Sequence, residues 1–109
     1  MTIHGIDLDS QAIRNFCRKW KIKELSVFGS ILREDFRPES DIDFLASYED
    51  CQQVHEYDLF DEIHMREELS EIVGRDVDLV DRSVIESTSN RFVREELLLT
   101  AEPVYAAQR

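Results

Sequence analysis

Two aspartates one residue apart in an apolar run, Asp41-Ile42-Asp43-Phe44-Leu45, constrain this chain more than any other feature. Aspartate is a poor strand former, yet its neighbours read as a strand, predicted over Asp41–Ala46. Side chains alternate across a strand, so both carboxylates project to one face, less than roughly 7 Å apart. Like charges so placed repel each other, and a cation relieves them. Carboxylates are hard oxygen ligands, and Mg²⁺ takes one or two of them together with water and phosphate oxygens. The competing reading is an edge strand that carries acids to deter aggregation. Phe44 and Leu45 oppose it, because they continue the apolar run.

The segment before this strand adds a second element of chemistry. Lys23–Phe28 reads as a strand, with Leu25 and Val27 alternating with Ser26 and Phe28, and Gly29 ends it. Glycine permits a sharp turn and close approach by a bulky anion. The Ser30 hydroxyl and the first free N–H groups of the following turn suit phosphate. A Gly-Ser pair alone is a common turn and carries little weight. A third acid, Asp78, stands in Val77-Asp78-Leu79-Val80, where an unpaired charge is costly. If that strand lies beside the first, Asp41, Asp43 and Asp78 converge, in reach of two metal ions. Asp76 points to the same face by period two, and periodicity does not choose between Asp76 and Asp78.

The remaining elements read as scaffolding. Residues 9–20 form a helix with Ile13, Phe16, Cys17 and Trp20 on one apolar side. Ser30–Glu34 has room for one or two helical turns, and Pro38 ends it. Residues 47–57 are polar and read as a connection. Asp58 caps a helix whose first turn holds Asp61 and Glu62, and Gly74 stops it. Asp76–Val80 is a third strand, Asp81–Asn90 a polar stretch, and Arg91–Thr100 a last helix with Phe92, Val93, Leu97 and Leu98 apolar. Pro103-Val104-Tyr105 adds a short terminal strand. Helices alternating with strands imply an α/β (α+β) fold, a small sheet covered by helices. Its topology stays open. At 109 residues, 1–109 is expected to be a single domain.

With 24 acidic against 13 basic residues the formal net charge is −11. Such a surface repels a phosphate backbone, so direct nucleic-acid binding is not expected, whereas a basic protein partner is favoured. No apolar run approaches the ~20 residues of a membrane span, and no N-terminal signal is visible. Cys17 and Cys51 are too few for a disulfide framework or zinc site and fit a reducing, cytoplasmic setting. His4, His55 and His64 show no metal-ligand spacing and read as surface or packing residues. Ser26, Ser70 and Ser87-Thr88-Ser89 have no base at readable spacing.

Gly29-Ser30, ten intervening residues and Asp41-Ile42-Asp43 together resemble the signature of the nucleotidyltransferase superfamily that includes DNA polymerase β. With Arg33 in the turn and Asp78 in the third strand, the chain is similar to the minimal nucleotidyltransferases over nearly its whole length. The resemblance implies the polymerase β-like fold. It implies that Asp41 and Asp43 hold two Mg²⁺ ions, and that Asp78 joins the catalytic one and helps deprotonate the acceptor. Gly29 and Ser30 would hold the β- and γ-phosphates of an NTP, with ATP as substrate, and Arg33 would touch phosphate or substrate. Arg33 and Arg37 have a simpler role open to them, pairing with Glu34, Asp35 or Glu39, which is preferred for Arg37. Ile31 and Leu32 depart from the small or basic residues usual in the turn.

The chain has room for a catalytic core and little else, so the acceptor is expected on another molecule. The resemblance implies the antitoxin half of a type VII-like toxin–antitoxin pair, transferring AMP to a tyrosine of a HEPN-type ribonuclease toxin encoded nearby. Two other classes stand beside it. One is a non-catalytic antitoxin that neutralises by complex formation, against which the intact set of Ser30, Asp41, Asp43 and Asp78 argues. The other is a small-molecule nucleotidyltransferase, disfavoured because no acceptor domain is present.

Overall fold

A computed structural model describes residues 2–8, 10–34, 37, 40–48, 58–87 and 89–107. The N-terminus forms a small hairpin, β1 (Thr2–Ile3) and β2 (Ile6–Asp7), turned at His4 and Gly5 with φ of 51° and 77°. Helix α1 (Gln11–Lys19) starts where the Ser10 hydroxyl accepts a hydrogen bond from the Ile13 N–H at 3.3 Å. Strand β3 (Ile22–Phe28) leads into a 3-10 turn, Gly29–Leu32, and β4 covers Ile42–Tyr48. Helix α2 (Leu59–Val73) follows, then β5 (Val77–Asp81), the short α3 (Arg82–Glu86), α4 (Arg91–Thr100) and β6 (Glu102–Ala106).

The four long strands form one mixed sheet in the order β5-β4-β3-β6, with β4 and β5 parallel and the other pairs antiparallel. A parallel pair needs a crossover connection, and α2 supplies it. Ile42, Phe44 and Ala46 alternate toward the helices and join Leu25, Val27, Ile13, Phe16, Met65 and Leu69 in the core. The opposite face carries Asp43 and Leu45, with α3 lying against β4 and β5. The sheet is therefore covered by helices, as expected, and β4 lies inside it rather than at an edge.

Helix α2 is fixed at both ends. Its capping box is complete: the Asp61 N–H donates to Asp58 Oδ1 at 2.9 Å and the Asp58 N–H to Asp61 Oδ2 at 3.1 Å. Gly74 ends it with φ of 72°, its N–H donating to the Ser70 carbonyl at 2.8 Å. Trp20, read as core, is only half-buried, because its indole N–H donates to Glu68 Oε2 at 3.1 Å, tying α1 to α2. Lys19 reaches the same carboxylate at 3.0 Å.

Two expectations need correction. The hairpin was not foreseen, and α3 occupies part of the stretch read as a polar connection. Of the apolar residues of α4, Phe92 is 75% exposed, while Leu97 and Leu98 are half-buried. Asp35, Pro38, Glu39, Cys51, His55, Thr88 and most of the 47–57 connection lie outside the described residues, as do the side chains of Ser30 and Val93.

Candidate active site

Sheet register decides which acids meet. In the parallel pair β4–β5, Asp43 lies opposite Asp78, with Phe44 opposite Leu79 and Leu45 opposite Val80. Residues in register in a parallel pair share a face, so both carboxylates stand on the face opposite the main core. Asp41 precedes β4 directly, and the Ile42 N–H donates to the Asp76 carbonyl at 3.1 Å, which fixes the mouth of both strands. Asp78 stands opposite Asp43, whereas Asp76 lies outside β5 beside α2.

Asp43 is half-buried; Asp41 and Asp78 are exposed. Burial pushes the Asp43 carboxyl above its ordinary value of 3.8, and the charges of Asp78 and then Asp41 push it further. This is the electrostatic signature of acids gathered in one place. A raised pKa from burial and like charges in one cluster is typical of functional sites.

Gly29 closes the other side. Its φ is 73°, and a Cβ there would come within 2.6 Å of Asp43 Oδ2. Phe28 and Asp43 are register partners in β3–β4, so the turn is laid directly across the Asp43 carboxylate. Glycine is thus required twice, for its left-handed backbone and for the space that the carboxylate occupies. Ser30 follows in the same turn.

Arg33 ends up on the hairpin side of that turn. Its carbonyl is bonded to His4 Nε2 at 2.9 Å, and it lines a cavity of about 330 Å³ with Ile3, His4, Ile31, Leu32 and Glu102. Neither contact joins it to the acids. Arg75 has a role that sequence reading missed: its guanidinium donates to the Arg37 carbonyl at 3.0 Å. The Ser40 N–H donates to the same carbonyl, also at 3.0 Å, so Arg75 braces the turn that enters Asp41. The only signal in the sequence was a basic residue directly after the helix-ending Gly74. Cys17 is buried and its thiol is pushed up to about 12, which leaves it inert.

Among the described residues, no three His, Cys, Asp or Glu side chains are arranged to hold a metal ion together. The pair Asp43 and Asp78 nevertheless fits the ordinary requirement of Mg²⁺, one or two carboxylates with the remaining positions left to water and phosphate. No helix among the described residues is long and apolar enough to cross a membrane.

Comparison with known proteins points the same way. The model of the nucleotidyltransferase domain family matches residues 10–99. Protein adenylyltransferase MntA of Thermococcus cleftensis is 29% identical over 80 residues, covering 73% of this chain and 76% of that protein. A provisionally named protein adenylyltransferase of Methanocaldococcus jannaschii is 32% identical over 79 residues, covering 72% of each. A crystal structure of a toxin–antitoxin with AMP-PNP superposes with a TM-score of 0.64 at 22% identity, covering 89% of this chain and 73% of that one. A tri-AMPylated HEPN toxin of Shewanella oneidensis in complex with its MNT antitoxin gives 0.58 at 22% identity, covering 93% and 72%. The last two share the fold. The family model takes in both the Gly29 turn and the paired strands of Asp43 and Asp78, so the chain belongs to the nucleotidyltransferase family, in its minimal branch, and is an enzyme of that class.

Proposed function

We propose that this nucleotidyltransferase transfers AMP from ATP to a tyrosine hydroxyl of a HEPN-type ribonuclease toxin, and so acts as the antitoxin of the pair. The observation that carries the reading is Asp43, held between Gly29 and Asp78 with its carboxyl destabilised as an anion. Such a carboxylate gains most from a cation. The adenylyltransferase names of the relatives and the toxin complexes of the structural neighbours support the choice of acceptor.

In this mechanism the facing pair Asp43 and Asp78 would hold Mg²⁺, with Asp41 joining them once its side chain turns in from the strand mouth. When bound, the metal supplies positive charge to the triphosphate and to the developing negative charge of the reaction. The Gly29–Leu32 turn presents backbone N–H groups to the β- and γ-phosphates, with the Ser30 hydroxyl as a further donor. Asp78, exposed on β5, accepts the proton of the acceptor hydroxyl. The acceptor oxygen forms a bond to the α-phosphorus, the bond from that phosphorus to the bridging oxygen breaks, and pyrophosphate leaves. Arg75 acts at a distance by bracing the turn before Asp41.

The test is transfer of label from α-labelled ATP with Mg²⁺ to the HEPN-type protein encoded beside this gene. Wild type is expected to label it, and Asp41→Asn with Asp43→Asn to lower the rate at least about 10³-fold while keeping the fold. A double variant that still protects cells as well as wild type would sink the enzymatic account of neutralisation.

A further inference from the structure

Among the described residues β5 is the edge of the sheet and pairs with β4 alone, so its outer backbone donors and acceptors have no strand partner there. Two cavities line this edge. One, of about 310 Å³, lies between α2 and α3 and is walled by Met65, Arg66, Leu79 and Val84. The other, of about 580 Å³, lies between α2 and the start of β5 and is walled by Ile63, Arg66, Glu67, Ser70, Asp76 and Asp41. Arg66 lines both, so the two adjoin at its side chain, and together they are called the groove along β5 and α2. The groove ends on Asp41, one of the three acids.

We propose that this groove is the docking track of the acceptor, and that it takes an extended, basic segment of the partner protein as an added strand on β5. The inference rests on the reading above that the acceptor is a protein. Three observations choose this occupant. An open strand edge binds extended chain through its backbone, with flanking pockets for alternate side chains. β5 spans five residues, roughly 17 Å of strand, enough for a short segment. The lining is predominantly acidic: Glu62, Glu67, Glu71, Asp76 and Asp81 stand against Arg66. Such a lining attracts Lys and Arg and repels the acidic surface of a second copy of this chain, whose net charge is −11. The apolar floor of Met65, Leu79 and Val84 accepts the alternate side chains. A segment so placed ends at the mouths of β4 and β5, where the Ile42 N–H donates to the Asp76 carbonyl beside Asp41.

The probe is a synthetic ten-residue peptide of alternating Lys and Val around one Tyr, with a matched peptide in which Glu replaces Lys. Hydrogen exchange of the whole protein is expected to slow at residues 77–81 and along α2 on adding the Lys peptide, and not on adding the Glu peptide. Glu67→Lys with Glu71→Lys is expected to weaken binding at least tenfold. Glu95→Lys with Glu96→Lys, an equal charge change on α4, is expected to leave it within twofold. Equal affinity for the two double variants, or protection elsewhere than β5 and α2, overturns the proposal. So does protection of β5 that rises with protein concentration without peptide, since the edge then belongs to a second copy. Binding is read without ATP. A protein that binds the peptide at β5 but labels no partner therefore refutes the transfer reading and leaves the groove standing.

Discussion

At the scale of single residues, Asp43 is where the chain accepts instability for chemistry. Its carboxyl is pushed up by burial, then by Asp78, then by Asp41. A folded-state pKa above the unfolded one means that the folded protein binds the proton more tightly. The penalty is therefore absent below the ordinary value of 3.8 and develops as pH rises through the raised one. Asp43→Asn removes the charge and keeps the shape. Without metal, it is expected to raise Tm at neutral pH by roughly 1–5 °C, the size of a relieved cross-strand like-charge pair. The gain should vanish toward pH 3.5, and transfer should be lost throughout. Scanning fluorimetry across pH in chelator checks this, and a variant less stable than wild type at pH 7 contradicts it. Asp41, Asp43 and Asp78 stood out as candidates in the sequence because charge at period two in an apolar strand has few purposes, and the register sets Asp43 opposite Asp78. The surroundings of Arg33 were not legible, because only the tertiary fold brings its carbonyl to His4 of the hairpin.

Elements were legible in proportion to their length and to the clarity of their ends. Helix α2 announced itself by Asp58 and Gly74, and β3 and β4 by apolar runs flanking the Gly-Ser turn. The two-residue strands β1 and β2 offered no alternation to read, and their turn depends on a left-handed His4 that no pattern foretells. Helix α3, at five residues, is too short for a 3.6-residue period to appear. The order β5-β4-β3-β6 could not be read either, because strand pairing is set by how α2 crosses and not by any local signal. That crossing depends on α2 being intact from its first turn. Asp58→Ala removes the side-chain half of the capping box, the bond accepted from the Asp61 N–H, and leaves the Asp58 N–H to donate to Asp61 Oδ2. It is expected to cost about 0.5–2 kcal/mol and to lower Tm by roughly 3–10 °C. Transfer at 25 °C should persist, because Asp58 lies at the end of α2 far in sequence from the Asp76 mouth. Urea unfolding and the labelling assay separate the two effects. A stable but inactive variant would mean that the first turn of α2 takes part in the chemistry.

For the molecule as a whole, the dominant fact is a net charge of −11 on 109 residues. Two consequences have opposite signs, and salt separates them. Within the chain, like charges repel in the compact state, and that self-repulsion is relieved by screening. The Debye length falls to about 3 Å at 1 M salt from about 10 Å at 0.1 M, which suppresses all but contact interactions. The few ion pairs that favour folding, such as Arg91–Glu95 at 2.9 Å and Arg82–Glu24 at 3.2 Å, are exposed or half-exposed and contribute little. Raising NaCl from 50 to 500 mM is therefore expected to raise the Tm of the metal-free protein by roughly 2–5 °C. The same salt should weaken the Lys peptide at the acidic groove at least about fivefold, since that attraction is between charges on opposite partners. Fluorimetry and peptide titration at matched salt give both slopes. If Tm fell with salt, the surface ion pairs would outweigh the net repulsion. If peptide affinity stayed flat while Tm rose, the groove would bind through strand edge and apolar floor alone, with its acids as bystanders.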